Sequence, residues 1–112
     1  MNYRRQQLNS LIRNEVAAIV QREVEFPIGI LATITQVSVA QDMEEAVIFV
    51  SVFPSAGKDA VLGIHKKRRG EIQTALYKRA KTMMLPPIRF EYDPGSEKSS
   101  AIEKISLESE SN

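Results

Sequence analysis

The first feature of the chain is a stretch of apolar residues at helical spacing. Between residues 4 and 24 the apolar positions recur every three or four residues, at Leu8, Ile12, Val16, Ile19 and Val20. Arg13, Asn14 and Gln21 lie on the opposite side, so the pattern predicts an amphipathic helix with one buried stripe. Pro27 ends this helix, because proline disfavours helical geometry in the residue before it.

Three stretches have the composition of β-strands: residues 31–40, 46–53 and 88–92. The first is rich in Thr, Ile and Val but changes phase, since Ile34 and Val37 fall on opposite parities. One extra residue switches the face of a strand, so we predict a bulge near Thr35 and Gln36. The second is apolar on both parities, which is typical of a strand that is central or covered on both faces. The third alternates regularly.

Residues 58–85 connect the second strand to the third and have helical character in two halves, with Gly70 where they join. A glycine there is typical of a helix C-cap. The predicted order is therefore helix, strand, strand, helix, helix, strand. A right-handed crossover would place the third strand parallel to the second. We expect an α+β fold in which a three-stranded sheet has its helices packed on one face.

The organisation along the chain predicts one folded domain and a tail. Residues 1–94 carry nearly all the apolar periodicity of the 112-residue chain. Residues 95–112 are rich in Ser and Glu, and we expect them to form a mobile acidic tail.

Positive charge is concentrated in the crossover. Residues 58–85 hold eight Lys or Arg and two acids, a formal charge of +6, whereas the whole chain is +1 and the remainder is therefore −5. Such a concentration indicates contact with nucleic-acid phosphates. The alternative is a solvated helix end whose cations complement the helix dipole. The residues we predict to bind RNA are Lys66, Lys67, Arg68, Arg69, Gly70, Lys78, Arg79 and Lys81, with Gly70 permitting close approach of the RNA backbone.

Several classes of function have no support in the composition. The chain has no cysteine and one histidine, His65, so thiolate and multi-histidine metal sites are excluded. We expect His65 to be a surface or partly packed imidazole without a catalytic role. No glycine-rich phosphate loop or nucleophile motif is visible. We expect no enzyme activity, catalytic residue, metal, cofactor or small-molecule substrate. No run approaches the roughly 20 apolar residues of a membrane span, and we expect a cytoplasmic location. We also expect the protein to be a monomer.

The apolar strand at residues 46–53 supports an alternative function. It could pair with a partner protein, in which case the basic helix would only keep the protein soluble. We expect its aromatic residues, Phe49 and Phe53, to pack in the core rather than to stack on bases.

Several short motifs, in this order and spacing, resemble the ribosome-binding factor A family over residues 4–93. They are the end of the first helix at residues 21–24, the hairpin at residues 37–50, the segment Gly70-Glu71-Ile72, and residues 87–93. The resemblance implies a KH-like fold of the type II order and a non-catalytic factor that binds the 30S small-subunit precursor at its 16S rRNA and promotes late maturation and processing. It also implies an interhelical kink at Arg68-Arg69-Gly70, where Arg68 replaces the family's alanine. Residues 25–29 lack the family's Asp-Pro-Arg.

Overall fold

The computed structural model describes residues 3–80 and 84–95 of the chain. In chain order the helices and strands are α1 (Tyr3–Glu23), β1 (Leu31–Val39), β2 (Ala46–Phe53), α2 (Lys58–Arg79) and β3 (Ile88–Tyr92), with a short 3-10 turn at Ser55–Gly57 before α2. The predicted bounds of β2 and β3 are confirmed, and those of α1 and β1 are confirmed to within one residue.

The three strands form one mixed sheet in the order β1-β2-β3. β1 pairs antiparallel with β2, and β2 pairs parallel with β3. The central position of β2 and the parallel third strand are both as the sequence predicts. The register shifts between Ile34 and Gln36, which confirms the predicted bulge and lets Ile34 and Val37 both contribute to the covered side of the sheet.

The bulge also fixes the end of β3. The Thr35 hydroxyl lies 2.7 Å from Oδ2 of Asp93 and 3.2 Å from the carbonyl oxygen of Phe49. The backbone N–H of Asp93 donates to the carbonyl of Val50 at 2.7 Å. Because these contacts join all three strands, they hold the segment that follows β3 against the sheet.

The helices cover one face of the sheet, and the core lies between. Alternate residues of β2, from Ala46 to Val52, are buried, whereas the residues between them are partly exposed. The buried side chains of the helices that meet this face include Ile12, Val16, Ile19, Ile72 and Leu76. This arrangement confirms the predicted α+β class with helices on one side. No helix in the described part of the chain is long and apolar enough to cross a membrane.

The predicted break at Gly70 is wrong, because α2 continues without interruption from Lys58 to Arg79. Val61, His65, Ile72 and Leu76 are all buried, and their spacing keeps one helical phase through the glycine. Packing of this single stripe outweighs the roughly 1 kcal/mol cost of glycine in a helix. The crossover is therefore one helix, and it is not divided at Arg68-Arg69-Gly70 as the resemblance implies.

The buried amide of Gln73 joins α2 to β3. Its Nε2 donates to the carbonyl of Pro86 at 3.2 Å, and its Oε1 accepts from the backbone N–H of Ile88 at 2.7 Å. These bonds satisfy two backbone groups at the start of β3, which would otherwise be buried without partners. Gln73 thereby sets where α2 lies on the sheet.

A candidate nucleic-acid interface

The side of α2 directed away from the sheet carries a group of lysines. We call this the outer face of α2 and define it by Lys66, Lys67, Gly70, Thr74 and Lys78. Each of these residues is exposed, and with 3.6 residues per turn they lie within one side of the helix. Within residues 3–80 and 84–95, the three lysines take part in no ion pair. They are therefore available to bind an anionic partner.

The arginines of the predicted cluster are directed elsewhere. Arg68 donates to Oε2 of Glu71 through Nε at 3.0 Å and Nη2 at 2.7 Å. Arg69 reaches towards β3, with Nη1 3.5 Å from the carbonyl oxygen of Ile88. Four consecutive residues occupy roughly 300° of the helix circumference, so the run cannot present a single surface. The structure thus brings Lys66 and Lys67 together and separates Arg68 and Arg69 from them.

Arg79 joins the two helices. Its Nε donates to Oε2 of Glu15 on α1. This hydrogen bond, together with the charge of the carboxylate, raises the pKa of Arg79 above its ordinary value. Its guanidinium is therefore already partnered within the protein, whereas Lys78 beside it is not among the described ion pairs. Lys81, also predicted to bind RNA, lies outside the described residues.

Gly70 lies in the middle of the outer face. A Cβ atom built on it would meet no heavy atom within 4 Å beyond its own helix and chain neighbours. Its φ is not in the left-handed region, so the backbone does not require glycine here. The fold would therefore accept a side chain at this position, as it would at Gly63 in the same helix.

His65 is a core residue. Its side chain is completely buried, with its ring centroid 4.5 Å from that of Phe90 and 5.2 Å from that of Phe26. Nδ1 donates to the carbonyl of Val61 at 3.0 Å, while Nε2 has no partner in the described structure. Burial lowers the pKa of His65. The ring is thus neutral and more deeply packed than the surface or partly packed position expected from the sequence.

An exposed apolar pair on the sheet was missed by the sequence analysis. Phe53 is 74% exposed and Leu31 is 65% exposed, and they are direct partners across β1 and β2. The expectation that Phe49 and Phe53 pack in the core is therefore wrong, because both lie on the side of the sheet opposite the helices, where Phe49 is half-buried. The parity of Ser51 and Phe53 could have shown this, since a strand alternates faces with period two.

Fold and surface together define a small α+β domain in which two helices cover a three-stranded mixed sheet. The second of these helices, α2, carries a lysine-rich face. The model of the family described as ribosome-binding factor A matches residues 4–106. The chain belongs to the ribosome-binding factor A family, which confirms the resemblance noted in the sequence.

Individual relatives agree with this assignment. The chain is similar to ribosome-binding factor A of Akkermansia muciniphila, with 31% identity over 98 residues, covering 88% of this chain and 78% of the relative. It is also similar to ribosome-binding factor A of Pseudomonas aeruginosa strain PAO1, with 33% identity over 112 residues, covering 94% of this chain and 87% of the relative.

Solved structures share the fold. The crystal structure of ribosome-binding factor A from Thermus thermophilus matches with a TM-score of 0.69 at 19% identity, covering 80% of this chain and 97% of that one. A Thermotoga maritima protein solved by NMR and assigned as a ribosome-binding factor A matches with a TM-score of 0.71 at 23% identity, covering 87% of this chain and 93% of that one. At these identities the likeness establishes the architecture alone.

Proposed function

We propose that the protein binds the small ribosomal subunit precursor through the outer face of α2, contacting 16S rRNA, and that it promotes late maturation of the 30S subunit without catalysing a reaction. The observation that carries this proposal is the set of exposed lysines around Gly70, which have no ion-pair partner in the described part of the chain, in a protein whose relatives are named ribosome-binding factor A. Binding would take place in the cytoplasm, with the protein as a monomer.

Lysines on a helix suit contact with phosphates rather than with base edges. Each ammonium group is a mobile point charge, which binds phosphate without fixed geometry. From Lys66 to Lys78 the outer face extends for about 18 Å, at about 1.5 Å per residue. A row of cations of this length on one continuous helix would recognise the shape of folded RNA. Phosphate contacts of this kind position a protein without reading sequence.

The other predicted residues have different parts in this proposal. Arg69 is exposed at the border of the outer face, from which it can extend to a phosphate by giving up its long contact with Ile88. Arg68 and Arg79 would hold the helix through Glu71 and Glu15 and would contribute less to binding. Lys81 lies outside the described residues and stays a prediction.

Gly70 would let an RNA backbone come closer to α2 than any side chain allows. Around it the helix surface is open, and Lys67 precedes it by almost one turn. Glycine weakens an exposed helix by about 1 kcal/mol relative to alanine. Gly63 is equally open, so the role of Gly70 in RNA contact rests on its position between Lys67 and Lys78.

The alternative of a partner pairing with the apolar strand at residues 46–53 is not favoured by the sheet. β2 is hydrogen-bonded to β1 on one side and to β3 on the other. Over residues 46–50, where β2 is paired on both sides, it has no free backbone groups to offer an incoming strand.

Charge reversal tests the proposal. We expect Lys66→Glu/Lys67→Glu to weaken binding to small subunits at physiological salt by at least tenfold, because it replaces two attractions to phosphate with repulsions. The matched control is Arg13→Glu/Arg22→Glu, which makes the same change in net charge on the exposed surface of α1. Binding is measured by co-sedimentation with immature and mature small subunits.

The control separates a specific surface from net charge. We expect Arg13→Glu/Arg22→Glu to reduce binding by less than threefold. Normal binding by the α2 variant would overturn the proposal. Equal losses in the two double variants would show that net charge, rather than the outer face of α2, governs binding.

A further inference from the structure

The side of the sheet opposite the helices is uncovered in the described structure. We call it the open face. β2 runs along its middle, with β1 residues on one side and β3 residues on the other. The register places its side chains in rows across the strands: Ser38, Val47 and Arg89; Gln36, Phe49 and Glu91; Thr33 and Ser51; Leu31 and Phe53. Along β2, exposure on this face is greatest at Phe53.

The apolar end of the open face borders a groove. This groove has a volume of about 550 Å³ and is lined by Leu31, Thr33, Phe53, Tyr92 and Asp93 among others. Asp93 is held over the sheet by the Thr35 hydroxyl and by the N–H of Gly95, 2.9 Å from its Oδ1. The wall of the groove is therefore fixed before any ligand arrives, which reduces the entropy cost of binding.

The charges on the open face are mainly acidic. Arg89 is its only cation among the described residues, and it is paired with Glu45 and Glu91. Asp93 adds a further carboxylate, so the face carries a net charge of about −2. One further cation lies near the groove, because Lys58 has its Nζ 5.2 Å from the centroid of the Tyr92 ring. It is not counted in the charge of the open face, since Tyr92 pairs with Val50, which is buried on the helix side.

We propose that the open face docks a protein segment that carries apolar side chains flanked by lysine or arginine. The apolar pair and groove would receive the hydrophobic side chains, and the carboxylates would attract the cations. RNA is disfavoured here because phosphates would meet uncompensated carboxylates. This proposal rests on the proposed function, since such a segment would belong to a protein of the small subunit, reached while the opposite side of the molecule contacts RNA.

Charge argues against the two occupants that this chain itself could supply. Residues 96–112 contain four Glu and two Lys, so this segment would bring negative charge to an acidic face. A second copy would place the same carboxylates opposite each other. Both arrangements create repulsion between like charges, whereas a basic segment removes it.

The test compares two probes: protein-free 16S rRNA and the complete small subunit. We expect Leu31→Ser/Phe53→Ser to bind the RNA within twofold of the unmodified protein but to bind the subunit at least fivefold more weakly. Glu45→Lys/Glu91→Lys is a second variant, with the same loss expected on the subunit and no loss on the RNA. The control is Met43→Ser/Met84→Ser, which removes exposed apolar side chains elsewhere and should leave both affinities unchanged.

Other outcomes would overturn the proposal. Unchanged affinity of the Leu31→Ser/Phe53→Ser variant for the subunit would show that the open face does not bind it. Equal losses of affinity for the RNA and for the subunit would show that the open face contacts RNA. A dimer in sedimentation velocity that this variant abolishes would identify a second copy as the occupant. NMR chemical shifts of the backbone amides of β1 and β2 that change in the variant Ile102→Ser/Ile105→Ser would identify residues 96–112 as the occupant of the open face. Failure of the unmodified protein to bind either probe would instead contradict the proposed function.

Discussion

At the scale of single residues, the buried imidazole of His65 couples the stability of the fold to pH. Its folded pKa is lowered by burial, so between the ordinary value of 6.5 and that lower pKa the unfolded chain binds more protons than the folded one. Stability from the neutral ring is therefore complete above pH 6.5 and decreases as the pH falls through this window.

The variant His65→Phe should remove this dependence while keeping an aromatic ring between Phe26 and Phe90. As the pH falls from 6.5 to the folded pKa of His65, we expect the free energy of unfolding of the unmodified protein to decrease relative to that of the variant. The expected decrease is up to about 1.4 kcal/mol per pH unit. Urea unfolding from pH 5 to 8 measures the difference. Parallel curves for the two proteins would show that His65 does not titrate on unfolding.

Gly70→Ala should separate stability from function. The substitution meets no atom within 4 Å, so we expect the free energy of unfolding to rise by up to about 1 kcal/mol. Binding to small subunits should nevertheless weaken, because the methyl group holds the RNA backbone away from α2. Gly63→Ala, in the same helix and equally open, controls for the gain in stability. Unchanged binding by the more stable Gly70→Ala protein would leave Gly70 without a role in the interface.

At the scale of elements, local pattern predicts most of what the chain forms. The phase change between Ile34 and Val37 located the bulge, and the composition of residues 46–53 located the central strand. The continuity of α2 could also have been predicted, since Val61, His65, Ile72 and Leu76 lie on one side of a single helix. Gly70, among basic residues, suggested a helix boundary instead. The ends of a helix depend on the packing of its whole buried stripe, and a single residue with low propensity does not decide them.

The link between α2 and β3 offers an element-scale prediction. Gln73→Ala leaves the carbonyl of Pro86 and the N–H of Ile88 without their partner, and we expect a loss of about 2–4 kcal/mol, since each buried unsatisfied group costs about 1–3 kcal/mol. Thr74→Ala is the control, because it removes an exposed hydroxyl that donates to Gly70 and should cost under about 0.5 kcal/mol. Similar urea midpoints for the two variants would contradict the role of Gln73 in joining α2 to β3.

At the scale of the whole molecule, charge and apolar surface are separated between two sides. The composition revealed an excess of cations in residues 58–85. Among the described residues predicted to bind RNA, the structure leaves Lys66, Lys67 and Lys78 exposed and outside the described ion pairs, with Arg69 at the border. No local pattern could show that Arg79 meets Glu15, because these residues are far apart in sequence and come together only when α1 packs beside α2. The exposure of Leu31 and Phe53 likewise depends on which face the helices cover.

The central claim is that lysines on the outer face of α2 bind small-subunit RNA, and the salt dependence of binding tests it most directly. With three or four phosphates contacted, the slope of log affinity against log salt should be about −3. Lys67→Gln should make it shallower by about 0.7–0.9, whereas Arg79→Gln, which removes a cation already paired with Glu15, should leave it unchanged. A slope that does not respond to Lys67→Gln, or that responds equally to Arg79→Gln, would contradict the account.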